Sequence, residues 1–251
     1  MTLPLLGDII QPNMKKKIIL WVKKQLKTAG AKGIVLGLSG GVDSAVIAGL
    51  VKEAIDREKV LALILPCHSL KQDLEDARLV AQKLGIRTKT LDLSKIYDNL
   101  TKILPLAGSL AKANLKPRLR MLVLYYFANK LNYLVCGTGN KSELKVGYYT
   151  KHGDGATDIL PIGDLLKRDV RKLARQLRIP IHIINKPPTA GLWPGQTDEG
   201  EMGITYPELD DILERLENKK RQILSQKKVA KVREMIKRSE HKRQGPKICY
   251  I

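Results

Sequence analysis

Short apolar runs alternate with amphipathic stretches along the first part of the chain. The apolar runs have the length of strands and lie at residues 33–38, 60–65 and 133–136, and we predict a further strand at the more polar residues 88–93. The stretches before and between them have apolar residues at helical spacing and lie at residues 12–28, 45–57, 73–84 and 116–130. This alternation predicts an α/β fold, a Rossmann-like parallel sheet flanked by helices on both faces.

The second part of the chain is dominated by helices and one long loop. We predict helices at residues 165–177, 207–218 and 226–239, and a short extended piece at residues 179–184. Residues 186–200 have the composition of a loop, because proline, glycine and other small residues are frequent there. We expect this loop to be mobile and to close over a substrate, with Thr189 able to reach a phosphate. A passive surface loop is the alternative.

The composition indicates one globular domain. A chain of 251 residues with 43% hydrophobic residues can bury one sizeable core, and no linker divides it, so we predict a single domain over residues 1–251. The apolar stretches are too short to cross a bilayer, and the N-terminal residues lack the order of a signal peptide, so we expect a soluble, cytoplasmic protein. The three cysteines form no C-x-x-C pair, and their odd number argues against a disulfide framework.

The net charge of +20 is concentrated near the C-terminus. Residues 215–243 hold twelve lysines or arginines against three glutamates. Such a segment is consistent with a solvated helical face, with attraction of small anionic substrates, or with binding of nucleic acid. Aromatic residues make up only 4% of the chain, so stacking platforms for single-stranded nucleic acid are not evident. We therefore do not expect nucleic acid as a partner.

A glycine turn follows the first predicted strand. Leu38-Ser-Gly-Gly-Val-Asp-Ser44 lies between the apolar run and the next predicted helix. Gly40 and Gly41 carry no side chain and can take backbone angles that other residues avoid, so the amides of the turn can approach an anion closely. The following helix adds the positive end of its dipole, and Ser39 and Ser44 add hydroxyl donors. The turn therefore predicts a phosphate site.

The same turn contains an acid. Asp43 is compatible with a phosphate site only if a cation lies between its carboxylate and the phosphates, which indicates a nucleotide bound with magnesium. The turn is not a Walker loop, because no Gly-Lys-Ser/Thr follows, and it is not the G-x-G-x-x-G of dinucleotide folds. It resembles the loop of the ATP pyrophosphatase superfamily, whose members cleave ATP between its α and β phosphates. An ordinary turn between a strand and a helix is the alternative.

A second polar segment follows the fourth predicted strand. It begins with Gly137-Thr-Gly-Asn-Lys-Ser-Glu143 and continues as a long irregular stretch to Asp158. Ligands of a parallel sheet collect at the carboxyl ends of the strands, so we expect this segment and the glycine turn to lie at the same edge. Glu143 can then supply a second carboxylate for the cation of Asp43. Taken alone, Glu143 would be a surface helix residue.

Several motifs in a fixed order together resemble the ammonia-dependent NAD synthetase family. They are Leu36-Gly-Leu-Ser-Gly-Gly-Val-Asp-Ser44, Asn114 with Pro117-Arg-Leu-Arg-Met121, Gly137-Thr-Gly-Asn-Lys-Ser-Glu143, Tyr149-Thr-Lys-His-Gly-Asp-Gly-Ala-Thr-Asp158, Leu160-Pro-Ile, Pro188-Thr-Ala-Gly191, Gln196-Thr-Asp-Glu199 and Glu240-His-Lys-Arg-Gln244. The resemblance spans the chain from Gly33 to Pro246. It implies an adenine nucleotide alpha hydrolase-like fold and a homodimer whose active site lies near the subunit interface.

Carried over position by position, the resemblance implies three groups of site residues. The ATP contacts would be Gly37, Leu38, Ser39, Gly40, Gly41, Val42, Asp43, Ser44, Thr138, Lys167 and Thr189. The magnesium ligands would be Asp43 and Glu143. The contacts to deamido-NAD would be Arg118, Lys151, Asp158, His241 and Lys242. Within this set the predicted catalytic residues are Asp43, Lys167, Thr189 and Asp158, and Asp158 is the candidate base for ammonium.

The implied reaction is a ligation in two steps, with Mg²⁺ as cofactor and ATP as co-substrate. The nicotinate carboxylate of deamido-NAD attacks the α phosphorus of ATP, and ammonia then displaces AMP from the acyl adenylate to give NAD. The chain has no room for an added glutaminase domain, so free ammonia is the expected nitrogen donor. The alternatives are an ATP pyrophosphatase that modifies transfer RNA, which the basic charge would suit, and a non-catalytic nucleic-acid-binding module.

Overall fold

Four short strands form one parallel sheet. The computed structural model describes residues 13–193, 195–220, 223 and 225–250. Its strands are β1 (Gly33–Gly37), β2 (Val60–Ile64), β3 (Arg87–Thr90) and β4 (Tyr133–Cys136). They lie in the order β3-β2-β1-β4, and every neighbouring pair is parallel. The chain runs outward from β1 to β3 and then returns to the other side of β1, so the strand order reverses between β1 and β4. Ligands of such sheets bind at the carboxyl ends beside this reversal.

Helices cover both faces of the sheet. They are α1 (Met14–Thr28), α2 (Val42–Ala54), α3 (Lys71–Leu84), α4 (Ser94–Ile103), α5 (Ser109–Ala113), α6 (Leu115–Leu131), α7 (Lys141–Val146), α8 (Lys167–Gln176), α9 (Ile181–Asn185), α10 (Asp198–Met202), α11 (Tyr206–Glu217), α12 (Gln226–Arg238) and α13 (Glu240–Arg243). Within the described part of the chain, none of them has both the length and the apolar character that crossing a membrane requires.

The alternating side chains of β1 divide the core into two layers. Ile34 and Leu36 pack into a cluster with the buried residues of α2 and α8, whereas Val35 packs with Val135 of β4 on the opposite face. All three side chains are fully buried, as expected for a central strand whose successive residues point to opposite faces. The predicted α/β sheet with helices on both faces is confirmed. A further cluster around Tyr206 joins α11 to α7 and α12.

Most predicted elements are present, with shifted ends. The predicted strand at 88–93 is β3, which begins one residue earlier and ends at Thr90. All four of its residues are exposed, because β3 is the edge strand and lacks cover. Helices α4, α5, α7 and α13 were not predicted, and α10 begins inside the predicted loop at 186–200. The first predicted helix was expected to begin at Pro12, which lies outside the described residues. Of the predicted single domain over 1–251, residues 1–11, 194, 221, 222, 224 and 251 also lie outside them.

The prediction of an extended piece at residues 179–184 is wrong. Helix α9 lies there, directly after Pro180, whose own backbone is extended (φ −54°, ψ 135°). The amides of Ile183 and Ile184 donate hydrogen bonds to the carbonyl of Pro180. Isoleucine favours strands, but a proline before the first turn favours the beginning of a helix. Burial of both isoleucines against the core then stabilises the short helix.

The cysteines agree with the prediction of no disulfide framework. Cys67 and Cys136 are buried and Cys249 is exposed, and all three are free thiols. Cys136 ends β4 with 2% of its surface exposed, which fits a small apolar residue in a buried strand.

Candidate active site

A cavity of about 490 Å³ opens at the carboxyl ends of the central strands. Its lining includes Gly37 at the end of β1, Leu65 just after β2, and Gly137 just after β4. The two polar segments singled out in the sequence meet here, because the side-chain amide of Asn140 donates a hydrogen bond of 3.0 Å to Asp43. The prediction that both segments lie at one edge of the sheet is therefore confirmed.

The glycine turn has the conformation that its sequence predicts. Gly40 has a φ of +84°, and a Cβ built on it would lie only 2.3 Å from the backbone carbonyl oxygen of Asp73 in α3. The hydroxyl of Ser44 stabilises the turn with two hydrogen bonds. It donates to the carbonyl of Gly41 (3.0 Å) and accepts from the amide of Ser39 (3.2 Å). Gly41 then caps α2, whose first turn points free amides at the cavity.

Two acids and one lysine meet beside this turn. Lys167 Nζ lies 2.6 Å from Asp43 Oδ2 and 3.1 Å from Glu143 Oε1. Asn140 orients the pair, because it accepts from the amide of Glu143 in a capping box at the beginning of α7 and donates to Asp43. Lys167 is 2% exposed and is the first residue of α8, with its amide bonded to Ser142 Oγ. The three charges come from separate parts of the sequence and converge on one point.

Burial changes the acid–base properties of this cluster. It raises the pKa of Glu143 to about 7, with a further increase from the Asp43 carboxylate and an opposing decrease from Lys167. Burial alone would lower the pKa of Lys167, but the carboxylates of Asp43 and Glu143 raise it above its ordinary value. The lysine is therefore firmly cationic.

A tyrosine and a third acid lie behind Glu143. The hydroxyl of Tyr206, a fully buried residue, is 3.2 Å from Glu143 Oε1 and 2.9 Å from Asp198 Oδ2. The other oxygen of Asp198 is buried without a hydrogen-bond partner within the described part of the chain. Burial raises the pKa of Asp198 as well. The cluster thus contains three carboxyl groups around the single ammonium of Lys167.

The cluster fits a magnesium ion by the chemistry of its donors. Asp43 and Glu143 direct carboxylate oxygens at the same cation, which here is the Lys167 ammonium. In the described ranges no three His, Cys, Asp or Glu side chains form a complete metal cage. Magnesium usually takes one or two protein carboxylates and completes its shell with phosphate oxygens and water. Two acids beside a phosphate turn meet that requirement.

A second lysine of the cavity was not predicted. Lys186 Nζ lies 2.6 Å from Asp73 Oδ1 and 2.6 Å from Asp76 Oδ2, both on α3. Lys186 begins the loop that contains Thr189, and Asp73 is the residue against which Gly40 packs. The ion pair therefore fastens the beginning of the loop to the support of the phosphate turn. This role of Lys186 is recognised only from its contacts with the two acids of α3. In the sequence those acids look like ordinary residues of a surface helix, so no pattern predicted the ion pair.

Comparison with known proteins identifies the family. A family model described as NAD synthase matches residues 14–246. The chain belongs to the NAD synthase family. The NH(3)-dependent NAD(+) synthetase of Archaeoglobus fulgidus is 48% identical over 238 residues, which are 94% of this chain and 96% of the relative.

Solved structures of the NAD synthase family share the fold. An NMN synthetase from Francisella tularensis has a TM-score of 0.89 and 38% identity, covering 97% of this chain and 100% of its own. The NH3-dependent NAD synthetase from Campylobacter jejuni, in complex with the nitrate ion, has a TM-score of 0.84 and 30% identity, covering 96% and 100%. The adenine nucleotide alpha hydrolase-like fold implied by the resemblance is confirmed.

In this NAD synthase chain the residues predicted to contact ATP surround one space. The cavity lining includes Gly37, Leu38, Ser39, Gly41, Val42, Asp43, Ser44, Thr138, Lys167 and Thr189. Gly40 belongs to the same turn but faces Asp73 instead. Thr189 is exposed on the loop, and its hydroxyl accepts from the amide of Gly191. The assignment of these residues to ATP stays a prediction, and their convergence is compatible with it.

The residues predicted to contact deamido-NAD are divided between the cavity and its outside. Lys242 reaches the cavity, where its ammonium donates to two backbone carbonyls, those of Gly147 and Tyr149, at 2.7 Å each. The other four, which are not part of the cavity lining, are Arg118, Lys151, Asp158 and His241. Arg118 donates to the carbonyl of Lys151, and Lys151 donates to the carbonyl of His241, so three of them form a connected surface group.

Asp158, the predicted base, is engaged within this chain. Its Oδ1 accepts from the hydroxyl of Tyr125 (3.1 Å), and its Oδ2 accepts from the amide of Val135 in β4 (2.7 Å). These hydrogen bonds fix the segment after α7 to the sheet, next to the bridge between Cys136 and Ile159. Both carboxylate oxygens of Asp158 are thus already used in contacts of the fold. A contact of Asp158 with substrate stays a prediction.

Proposed function

We propose that this chain is a ligase that forms NAD from deamido-NAD, ATP and ammonia, with AMP and pyrophosphate as the other products. The similarity to the ammonia-dependent synthetase of A. fulgidus, 48% identity over 94% of the chain, carries the proposal. The cavity supports it, because the glycine turn, Asp43, Glu143 and Thr189 line one space. Free ammonia is the proposed nitrogen donor, since the relative is named for it and is covered over 96% of its length.

Activation of the acid is the first requirement of this reaction. A carboxylate resists ammonia, because its carbonyl carbon is deactivated and oxide is a poor leaving group. In the proposed first step the nicotinate carboxylate attacks the α phosphorus of ATP, and pyrophosphate leaves. Such a step needs positioning and charge neutralisation more than a side-chain nucleophile. The amides of residues 37–44, with Thr189, would hold the phosphates and stabilise the departing pyrophosphate.

Asp43 and Glu143 would hold the magnesium ion, which neutralises phosphate charge when bound. Lys167 adds a cation next to the same phosphates, and Thr138 lies across the cavity at the end of β4. In the second step ammonia attacks the carbonyl of the acyl adenylate and AMP leaves. We propose Asp158 as a contact to deamido-NAD and not as the base, because both of its oxygens already accept hydrogen bonds.

We propose a homodimer in which deamido-NAD binds near the subunit interface. The support is an exposed apolar face at α5, α6 and the segment before them, where Leu106 is 98%, Leu122 64% and Tyr126 59% exposed. Leu122 and Tyr126 are four residues apart on α6 and therefore lie on one face of it, and exposed apolar side chains that cluster in this way favour an association surface. Arg118 is exposed on the same helix, so a substrate at this face could contact it from outside the cavity.

The proposal is tested by product analysis. Purified protein with ATP, Mg²⁺ and deamido-NAD should form NAD with ammonia and not with glutamine, and should release AMP and pyrophosphate. ADP and phosphate as products would refute it. Nicotinate mononucleotide is assayed in parallel as an alternative substrate. The reason is that a protein of known structure named NMN synthetase has 38% sequence identity to this chain. Pyrophosphate release that depends on transfer RNA and not on deamido-NAD would favour the RNA-modifying alternative.

Asp43→Asn isolates the proposed metal ligand. The amide keeps the size of the side chain but removes its charge, so turnover should fall at least about 100-fold, which corresponds to a loss of about 3 kcal/mol of transition-state stabilisation. Asp56→Asn is the matched control, since Asp56 is exposed and forms a surface ion pair with Lys59. The control should retain wild-type turnover. Near-normal rates for the Asp43 variant at saturating Mg²⁺ would remove Asp43 from the metal site.

The cytoplasmic location expected from the sequence stays a prediction.

A further inference from the structure

The carboxylates proposed for magnesium already hold a cation of the protein itself. Lys167 Nζ contacts Asp43 at 2.6 Å and Glu143 at 3.1 Å, and it lies 4.8 Å from the centre of the Tyr206 ring. The lysine side chain is 2% exposed and the two acids are 18% and 16% exposed, so water screens these contacts only weakly. The ammonium therefore serves as the counterion of the two carboxyl groups when no other cation is present, and it can balance only one negative charge.

A magnesium ion and this ammonium compete for the same oxygens. Magnesium binds carboxylate oxygens at about 2.1 Å, so an ion held by Asp43 and Glu143 would lie within a few ångströms of Nζ. Two cations at that distance repel each other strongly in a buried site. The ammonium has to leave the pair before the metal can use both carboxylates.

The surroundings allow such a movement. The backbone of Lys167 is fixed, because its amide donates to Ser142 Oγ at the beginning of α8. The ammonium, in contrast, ends a flexible four-carbon chain and borders the cavity together with the glycine turn. Phosphates bound at the turn would offer it new anionic partners nearby.

The charge balance also favours entry of a stronger cation. One ammonium faces the carboxyl groups of Asp43 and Glu143, and Asp198 joins the cluster through the hydroxyl of Tyr206. Asp198 is 4% exposed, and its Oδ1 has no hydrogen-bond partner within the described residues. The folded cluster therefore holds more acidic groups than its single ammonium can neutralise.

We propose that Lys167 occupies the cation position between Asp43 and Glu143 until a nucleotide binds, and that the phosphates draw its ammonium away as the metal enters. Lys167 thus blocks binding of a divalent cation without nucleotide, in addition to its proposed contact with ATP. The inference rests on the proposed function for the identity of the metal ligands. Its consequence is that metal and nucleotide bind together.

Binding of Mn²⁺ without nucleotide tests the exchange directly. Free Mn²⁺ is measured by electron paramagnetic resonance during titration of the wild type, K167M and K167Q. Both variants remove the competing charge, and K167Q keeps a hydrogen-bond donor for the carboxylates. We expect both to bind one Mn²⁺ at least about tenfold more tightly than the wild type, because a tethered competitor acts at millimolar effective concentration or above.

Two controls define the site. K242M removes another ammonium of the cavity, one whose hydrogen bonds among the described residues go to two backbone carbonyls, and should leave the Mn²⁺ affinity unchanged. Adding D43N to K167M should abolish the gain. Equal Mn²⁺ affinity of the wild type and the Lys167 variants would overturn the proposal, and so would an equal gain in K242M.

The proposal can also be tested on the wild-type protein, in case the variants do not fold. Crystal structures are determined without ligand and with Mn²⁺ and α,β-methylene-ATP. Nζ of Lys167 should lie between the carboxylates in the first and within hydrogen-bond distance of a phosphate oxygen in the second. An unmoved ammonium beside a bound metal would overturn the exchange. A protein that forms NAD but fails these tests refutes this inference alone, whereas Mn²⁺ exchange without NAD formation refutes the proposed function alone.

Discussion

Replacing Gly40 by alanine should displace the phosphate turn as a unit. The residue has a φ of +84°, and a Cβ would lie 2.3 Å from the carbonyl oxygen of Asp73, where ordinary contacts begin at 3.4 Å. The left-handed conformation costs a residue with a side chain about 1–2 kcal/mol, and relief of such overpacking adds about 1–3 kcal/mol. Because the opposing atom belongs to the backbone of α3, the turn has to move by roughly 1 Å.

We expect Gly40→Ala to lower the free energy of unfolding by about 2–5 kcal/mol. The kcat/KM for ATP should fall about 100-fold, since a misplacement of roughly 1 Å in a positioning element has that effect. Unfolding in urea, followed by circular dichroism, gives the first quantity, and NAD formation at varied ATP gives the second.

Gly41→Ala is the matched control for stability. The same methyl group is added to the same turn, but Gly41 has an extended backbone (φ −91°, ψ 161°), and its Cβ would meet Ser39 Oγ at an ordinary 3.4 Å. Its free energy of unfolding should stay within about 1 kcal/mol of the wild type. Equal destabilisation by the two substitutions, or a Gly40 variant as stable as the wild type, would refute the steric reasoning.

Three further substitutions test contacts beyond the turn. Lys186→Met should lower the free energy of unfolding by about 3 kcal/mol at pH 7. Burial alone would raise the pKa of Asp76, but its hydrogen bond from Lys186 holds that pKa below the ordinary value. The loss of unfolding free energy in the Lys186 variant should therefore become smaller below about pH 4, where Asp76 is protonated in the unfolded chain. Unfolding in urea at several pH values measures it, and a loss that grows as the pH falls would contradict this expectation. Tyr206→Phe should cost about 1–3 kcal/mol in the same titrations, since Glu143 loses a buried partner, and a neutral result argues against that contact. Leu122→Asp should raise the dimer Kd at least about tenfold in sedimentation, and a monomeric wild type removes the homodimer proposal.

The glycine turn was predictable because everything that shapes it is local. The apolar run of β1, the two glycines and the beginning of α2 follow one another without interruption, and each favours one conformation. The position of the cavity followed from the same reasoning, since a parallel sheet brings the ends of its strands to one edge. β3 was less predictable, because its four residues are exposed and carry no apolar pattern.

The partners of the site residues could not be predicted in the same way. Asp43 is bonded to Asn140 and to Lys167, which are 97 and 124 positions away along the chain. No periodicity connects such positions, and only the fold brings them together. The resemblance to a family supplied Lys167 as a site residue, but not that its ammonium lies between two carboxylates. Lys186 and Tyr206 had no signal of either kind.

The net charge illustrates why counting residues does not identify a site. The basic residues of α12 are mostly exposed, and Lys227, Lys231 and Arg238 among them lie opposite the buried Val229 and Val232. That arrangement is the solvated helical face offered as one interpretation of the charge. The ammonium of Lys167 is instead buried and neutralised by acids, so it contributes little to the net charge of its surroundings. The charge of Lys167 therefore becomes available to phosphate oxygens only when its ammonium leaves the carboxylates, which is the exchange that we propose.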